Sequence, residues 1–228
     1  MIPLELSRPP IAIGFFEQPP ASIPKWSGAP VPSGCTFWRE AMDGKTFYTV
    51  PADHYNCPIG SYTHAIGLPP ERASELEDTV KFMVANRYIE MSEVPGIPVL
   101  EKAPTCIAYA PAETAAFAPD VVLIAAKPSV AMLLYEAALR AGAGNPLASI
   151  MGRPGCGVVP LTLKSGSSAL SFGCKGNRTF TGLPEEELYI AIPGARWNEV
   201  LSCLSEIQAA NATMEEFYKG RQAQFPIL

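Results

Sequence analysis

The chain is poor in charged residues, in histidine and in long apolar segments. Only 17% of its 228 residues are charged, and it has two histidines; an average soluble protein is roughly a quarter charged. The net charge of −5 argues against a nucleic-acid surface, which needs a clustered basic face. No segment approaches the about 20 apolar residues that cross a bilayer, and the N-terminus lacks the pattern of a secretory signal. We therefore expect a cytoplasmic protein that binds neither nucleic acid nor membranes.

Proline and cysteine, in contrast, are well represented. The 24 prolines disfavour a long helical bundle, because proline interrupts helices and central strands. The chain also has six cysteines. In a reducing compartment these are buried apolar residues, reactive thiols or metal ligands rather than a disulfide framework.

The apolar pattern predicts an α/β (or α+β) fold, with a mixed β-sheet flanked by helices. We expect one compact domain over residues 1–228 with long Pro/Gly-rich loops, since no linker or repeat is visible. Predicted strands cover residues 11–16, 45–50, 98–110, 120–126, 161–164, 169–172 and 188–192. Predicted helices cover residues 34–44, 70–90, a segment capped by Ser129 and ending near 140, 194–210 and 213–223.

Four cysteines share a local context, namely Cys35, Cys57, Cys156 and Cys174. Each has glycine or proline as a direct neighbour. Glycine lets the backbone approach a bulky group closely, and successive N–H groups in such turns bind anions, including iron–sulfur clusters. The four positions are far apart and contain no C-x-x-C pair, so a common site requires the fold to bring them together. The alternative is that they are buried thiols in glycine-rich turns.

Four thiolates suit either zinc or a [4Fe–4S] cluster. Structural zinc ligands usually come as close pairs, whereas widely spaced single ligands fit a cluster held between several elements. Cys57, Cys156 and Cys174 are the first ligands expected, with Cys35 as the fourth ligand or a nearby thiol. Cys106, in a strand-like run, and Cys203, on the apolar side of a helix, are interpreted as core residues.

Histidine and arginine residues near these cysteines are candidates for chemistry. His54 and His64 flank Cys57 and are candidate proton donors or bases, with loop histidines as the alternative. Arg178 follows Cys174 and is a candidate for holding an anionic group, with a structural turn arginine as the alternative. Arg153 is a similar candidate near Cys156.

Several long motifs resemble the DUF169 family. They are GCTFWREAMDGKTFYTVPADHYNCPIGSYTHAIGL, PDVVLIAAKP, GCGVVP, SFGCKGNRTFTGLPEEELYIAIPG and the tail MEEFYKGRQAQF. The resemblance covers nearly the whole chain. The family is frequent in archaea and anaerobic bacteria and has no settled function to carry over. The resemblance implies that its motif cysteines correspond to Cys35, Cys57, Cys156 and Cys174, and that Cys106 and Cys203 lie outside the motifs.

The residues and the resemblance together predict a protein that binds an oxygen-sensitive [4Fe–4S] cluster with a redox role. That role is electron transfer to a redox partner protein or reductive chemistry on a small-molecule substrate, as in an iron–sulfur-dependent oxidoreductase. Two alternatives stay open: a metal-free cysteine/histidine enzyme, and a haem- or small-molecule-binding module. The oligomeric state is also open, a homo-oligomer included.

Overall fold

A computed structural model of the chain describes residues 4–145 and 149–224, so the predicted domain limits of 1–228 extend slightly beyond it. Its strands are β1 (Ile11–Phe16), β2 (Phe47–Thr49), β3 (Cys106–Pro111), β4 (Val121–Ala126), β5 (Ser149–Met151), β6 (Ala169–Ser171) and β7 (Leu188–Pro193). Its α-helices are α1 (Thr36–Met42), α2 (Pro58–Thr63), α3 (Glu75–Ala85), α4 (Pro128–Arg140), α5 (Val158–Ser165), α6 (Lys175–Thr181) and α7 (Trp197–Gln224).

The strands of the described chain form one mixed sheet in the order β2-β3-β1-β4-β7-β6-β5. The β5–β6 pair is parallel, and the other paired strands are antiparallel. The predicted α/β class with a mixed sheet and flanking helices is confirmed. In the same described ranges, no helix is long and apolar enough to cross a membrane.

The central strand β4 explains why helices lie on both faces of the sheet. All six of its residues are buried, and alternate side chains point to opposite faces. Val121, Leu123 and Ala125 join the core cluster that includes α1 and α5. Their neighbours in β4 join a second cluster with α4 and α7. The two helical layers therefore bury both faces of this continuously apolar strand.

The predicted strand 161–164 is wrong, because these residues lie in α5. The helix begins after Gly157 and ends at Gly166, which adopts φ +63 as a left-handed C-cap. Pro160 is tolerated because it lies in the first turn, where its missing N–H has no helical partner in any case. The apolar side chains of this short segment suit either structure, and packing against the sheet decides for the helix.

Two predicted elements are shorter than expected. The helix predicted over 70–90 is a 3-10 turn at Pro70–Arg72 followed by α3, which ends at Ala85. The strand predicted over 98–110 begins only at Cys106. Pro98 and Pro104 precede it, and neither has an N–H group to donate to a neighbouring strand.

The C-terminal pair of helices predicted at 194–210 and 213–223 is one helix, α7, preceded by a 3-10 turn. No glycine or proline interrupts residues 211–213, and Asn211 donates to Glu136 of α4. Helix α4 begins at Pro128 with Lys127 as its N-cap, so the predicted cap at Ser129 is also wrong. Strand β5 was missed, because three residues are too short for a periodic pattern.

Candidate functional site: a cavity lined by four cysteines

A cavity of about 660 Å³ lies on the face of the sheet that carries α1 and α5. It brings together Cys35, Cys57, Cys156 and Cys174 in its wall. Cys106 and Cys203 are not among its lining residues. Cys106 is fully buried in β3, and Cys203 packs against the core cluster on the opposite face. The fold thus separates the six cysteines into the same two groups as their local sequence context.

Each cavity cysteine lies at the start of a helix. Cys35, Cys57 and Cys174 are the residues immediately before α1, α2 and α6. Cys156 lies in the 3-10 turn that leads directly into α5. The first N–H groups of a helix lack helical partners and carry partial positive charge. Four helix starts that surround one cavity therefore favour negative charge inside it.

Backbone N–H groups point at two of the sulfurs. The Sγ of Cys57 accepts from the N–H of Gly60 at 3.3 Å, and the Sγ of Cys174 accepts from the N–H of Asn177 at 3.4 Å. The donor is three residues after the cysteine in both cases, as in an N-cap. A Cβ at position 60 would lie 2.9 Å from the Cys57 Sγ, so glycine permits this close approach.

Side-chain hydroxyls accompany the other two sulfurs. The Ser33 Oγ lies 2.7 Å from the Cys35 Sγ, and the Thr63 Oγ1 lies 3.4 Å from the Cys156 Sγ. When these sulfurs are thiolates, the hydroxyls are the donors, because a thiolate has no proton to give. All four sulfurs therefore have a hydrogen-bonding group within reach.

The loops that carry Cys156 and Cys174 touch each other through their backbones. A Cβ at position 155 would lie 2.9 Å from the backbone N of Cys174 and 3.0 Å from the Cα of Gly173. Only glycine fits at position 155, so the close packing of the two loops explains why a glycine precedes Cys156.

Burial and mutual repulsion keep Cys35, Cys57 and Cys156 neutral when the cavity holds no cation. Burial raises the pKa of Cys35 to about 12 and also raises the pKa values of Cys57 and Cys156. Charge on the other cysteines contributes as well. Cys57 and Cys174 raise the pKa of Cys35, Cys174 raises that of Cys57, and all three raise that of Cys156. Every pair of the four is thus close enough to interact electrostatically.

Both histidines line the cavity and are neutral. Burial lowers the pKa of His54 to about 3, with a further contribution from His64, and burial also lowers the pKa of His64. The Nδ1 of His64 lies 2.9 Å from the carbonyl oxygen of Gly60. A carbonyl only accepts, so Nδ1 carries the proton and the Nε2 of His64 is unprotonated.

Arg178 does not contribute to the cavity wall. Its guanidinium donates to the backbone carbonyls of Phe172, Pro184 and Glu187 at 2.7–2.9 Å. These three bonds tie the segment around Cys174 to the loop before β7. These bonds support the alternative interpretation, in which Arg178 is a structural arginine. They do not place it at the anion contact expected from the sequence.

Arg153 lies at the rim of the cavity and is already partnered. Its guanidinium lies 5.2 Å from the ring centroid of Tyr88 and 3.2 Å from a carboxylate oxygen of Glu93. Arg153 is therefore the cation expected near Cys156. Its acidic partner, Glu93, was not predicted from the sequence.

Sequence reasoning missed Asn177. This residue is 2% exposed and lines the cavity, and neither polar atom of its side-chain amide has a hydrogen-bond partner of normal geometry. The amide also favours the thiolate form of Cys35. A usable signal was its spacing of three residues from Cys174, which matches the spacing of Gly60 from Cys57.

The cavity extends well beyond the thiols. Its remaining wall is mostly apolar and comes from α3, from residues 88–97 and from the aromatic residues Tyr62 and Phe180. Within residues 4–145 and 149–224, no group of three or more His, Cys, Asp or Glu side chains is arranged to hold a metal ion.

Comparison with known proteins gives a family but no activity. A family model named DUF169, described as "Uncharacterised ArCR, COG2043", matches residues 2–202, a range that contains all four cavity cysteines. An uncharacterized protein of Methanocaldococcus jannaschii is 25% identical over 173 residues, which cover 73% of this chain and 73% of that protein. No solved structure matches the chain significantly.

Proposed function

This chain belongs to the DUF169 family, and we propose that it binds one [4Fe–4S] cluster in the four-cysteine cavity and uses it in a redox reaction. Cys35, Cys57, Cys156 and Cys174 are the ligands. The observation that carries the proposal is that four thiols from distant segments line one cavity and interact pairwise.

The electrostatics of the cavity support a negatively charged occupant. Four thiolates outweigh the positive charge of the cluster core, so the ligated cluster is an anion. Helix starts and the N–H groups of Gly60 and Asn177 stabilise such an anion. Hydrogen bonds to cluster sulfurs also tune the reduction potential.

Single ligands from four distant segments favour a cluster over one zinc ion, whose structural ligands usually come as close pairs. A tetrahedral ion with metal–sulfur bonds of ~2.3 Å requires its ligand sulfurs to lie about 3.8 Å apart. The ligands of a four-iron cluster bind four different irons and lie farther apart, since the cluster core stands between them.

A bound cluster would supply one-electron chemistry to a small molecule beside it, with a reduced electron-carrier protein as the source of the electron. The chain's own residues provide the rest of the site. Neutral His64 lies in the cavity wall, and its unprotonated Nε2 can accept a hydrogen bond from a bound molecule.

The titration behaviour of the site argues against a metal-free cysteine nucleophile. Such a nucleophile needs a lowered thiol pKa and a nearby base or imidazolium. Here burial raises the pKa of Cys57 and lowers the pKa values of His54 and His64. The cavity therefore disfavours a thiolate–imidazolium pair, and a metal would be needed to deprotonate Cys57.

The test is anaerobic expression followed by analysis of iron and acid-labile sulfide. The proposal predicts about four of each per chain, with a broad visible absorption that bleaches on reduction. Cys57→Ala and Cys174→Ala reduce the iron content, whereas Cys203→Ser, a half-buried cysteine outside the cavity, retains it. An iron-free protein after anaerobic expression and reconstitution with iron and sulfide overturns the proposal. A sharp Soret band in place of the broad absorption also overturns it and identifies haem.

A further inference from the structure

Helix α3 directs its apolar side chains into the cavity instead of into the protein core. None of its residues is fully buried. Leu76, Val80 and Met83 recur at helical spacing, are half-buried and line the cavity. Phe82 also lines the cavity and is 71% exposed. Apolar surface that faces an open cavity gains stability when a ligand removes it from water.

The segment after α3 continues this apolar wall. Ile89, Val94 and Ile97 line the cavity, and Phe180 of α6, which is 42% exposed, lines it as well. The volume of about 660 Å³ lies within the range of small-molecule pockets, ~300–1,000 Å³. The wall therefore suits the apolar body of a small molecule next to the thiols.

Lys175 and Tyr88 are neighbours at the same wall and bring an exposed cation and a hydroxyl to it. The backbone N–H of Lys175 donates to the Tyr88 Oη at 3.2 Å, so the Tyr88 hydroxyl hydrogen is left to donate elsewhere. Both residues line the cavity. Among the described residues, the Lys175 ammonium has no ion-pair partner, whereas Arg153 is paired with Glu93.

We propose that this cavity binds an amphiphilic carboxylate, whose apolar body lies along α3 and whose carboxylate pairs with Lys175 and Tyr88. The assignment of this carboxylate as the substrate of a redox site rests on the proposed function. Its binding depends only on the apolar wall and on Lys175. The apolar residues provide affinity, and Lys175 with Tyr88 orients the molecule with its other end toward the thiols.

Calorimetric titration with three ligands of equal length tests the proposal: octanoate, 1-octanol and octylammonium. We expect octanoate to bind most tightly and octylammonium most weakly. Lys175→Gln reduces octanoate affinity roughly three- to tenfold, the loss of one exposed charge-assisted contact, and leaves octanol binding unchanged. Lys127→Gln, an exposed lysine next to α4 on the other side of the sheet, is the matched control and changes neither.

Val80→Asp places a charge on the apolar wall and weakens all three ligands, with thermal unfolding measured in parallel to show that the variant is folded. Equal binding of the three ligands, or octanoate binding that Lys175→Gln and Val80→Asp both leave unchanged, overturns the proposal. Iron content is measured on the same preparations. If the protein binds octanoate selectively but holds no iron, this inference stands and the proposed cluster is wrong. If the protein holds a full cluster but shows no selectivity, the cluster stands and this inference is wrong.

Discussion

The hydroxyl of Thr63 lies 3.4 Å from the Sγ of Cys156. The same hydroxyl lies 2.9 Å from the carbonyl oxygen of Gly60, which also accepts from the Nδ1–H of His64 at 2.9 Å. The Gly60 carbonyl therefore still has one hydrogen-bond donor when the Thr63 hydroxyl hydrogen turns to the Cys156 sulfur. The arrangement lets Thr63 donate to a Cys156 thiolate without leaving a buried carbonyl unpaired.

Thr63→Val removes this donor at nearly constant volume and weakens metal binding at Cys156. We expect iron loss to a chelator to be about 10- to 100-fold faster, which is the usual cost of removing a partner of a metal ligand. The measurement is the rate of iron release under anaerobic conditions. Thr63→Ser retains the hydroxyl and serves as the control, with release close to that of the unchanged protein. Equal release rates for Thr63→Val and Thr63→Ser would contradict the assigned role.

The iron-free protein should alkylate slowly at Cys35. A thiol with the pKa of about 12 that burial gives Cys35 is almost entirely protonated at pH 8, whereas a free thiol near 8.5 is about a quarter thiolate. We expect iodoacetamide to modify Cys35 at least a hundredfold more slowly in the folded protein than in urea. Peptide mass spectrometry over time measures this for each cysteine. Modification of Cys35 at the same rate in both states would show that the site does not protect it.

The sequence predicts local features of the site better than its assembly. The glycines and prolines beside the four cysteines distinguish them from Cys106 and Cys203, and the structure divides the six in the same way. Convergence on one cavity depends on contacts between distant segments, such as that of position 155 with Cys174, which no local pattern encodes. Asn177 was missed for the same reason, because burial creates its unpaired amide.

The fold shows a similar division. The continuous apolar run of β4 predicts a central strand, because only a strand covered on both faces buries every residue. Residues 161–164 have a composition that suits a strand or a helix, and contact with the sheet selects the helix. The half-exposed helix α3 was expected to be longer, because charge and spacing do not reveal where its cavity-facing contacts end.

The two buried histidines should make the iron-free protein sensitive to mild acid. The folded-state pKa of His54, about 3, lies below the unfolded value near 6.5, so the unfolded chain binds protons first as the pH falls. Stability is therefore full above about pH 6.5 and is lost below it, by up to about 1.4 kcal/mol per pH unit for His54 alone. Urea unfolding at pH 7.5 and 5.5 measures this loss.

His54→Gln is the informative variant for that experiment, because it removes the titrating ring and keeps a polar group opposite Thr49. Between pH 7.5 and pH 5.5, the free energy of unfolding should fall by about 1 kcal/mol less in this variant than in the unchanged protein. The acids with lowered pKa values, such as Glu17 and Glu77, are fully exposed and contribute little. An unchanged difference would mean that His54 is not the group that titrates on unfolding.

Raised thiol pKa values act in the opposite direction at high pH. The unfolded thiols ionise near 8.5, while burial keeps Cys35 protonated to about 12, so the folded chain binds more protons between these values. Stability of the iron-free protein is therefore full below about pH 8.5 and falls as the pH rises above it. Cys35→Ala should flatten this alkaline decline in urea unfolding at pH 8 and pH 10. A decline equally steep in Cys35→Ala would assign it to other groups.

Arg178 should matter for folding and not for the occupancy of the cavity. Arg178→Met removes donors to the carbonyls of Phe172, Pro184 and Glu187, and we expect the free energy of unfolding to fall by about 2 kcal/mol. Arg178→Lys restores the charge but only part of the hydrogen bonding, so it should recover less than half of that loss. Because Arg178 does not line the cavity, iron per folded chain should be the same in both variants as in the unchanged protein. Iron content that falls in Arg178→Met and returns with the charge in Arg178→Lys would instead give Arg178 the anion-binding role expected from its position in the sequence.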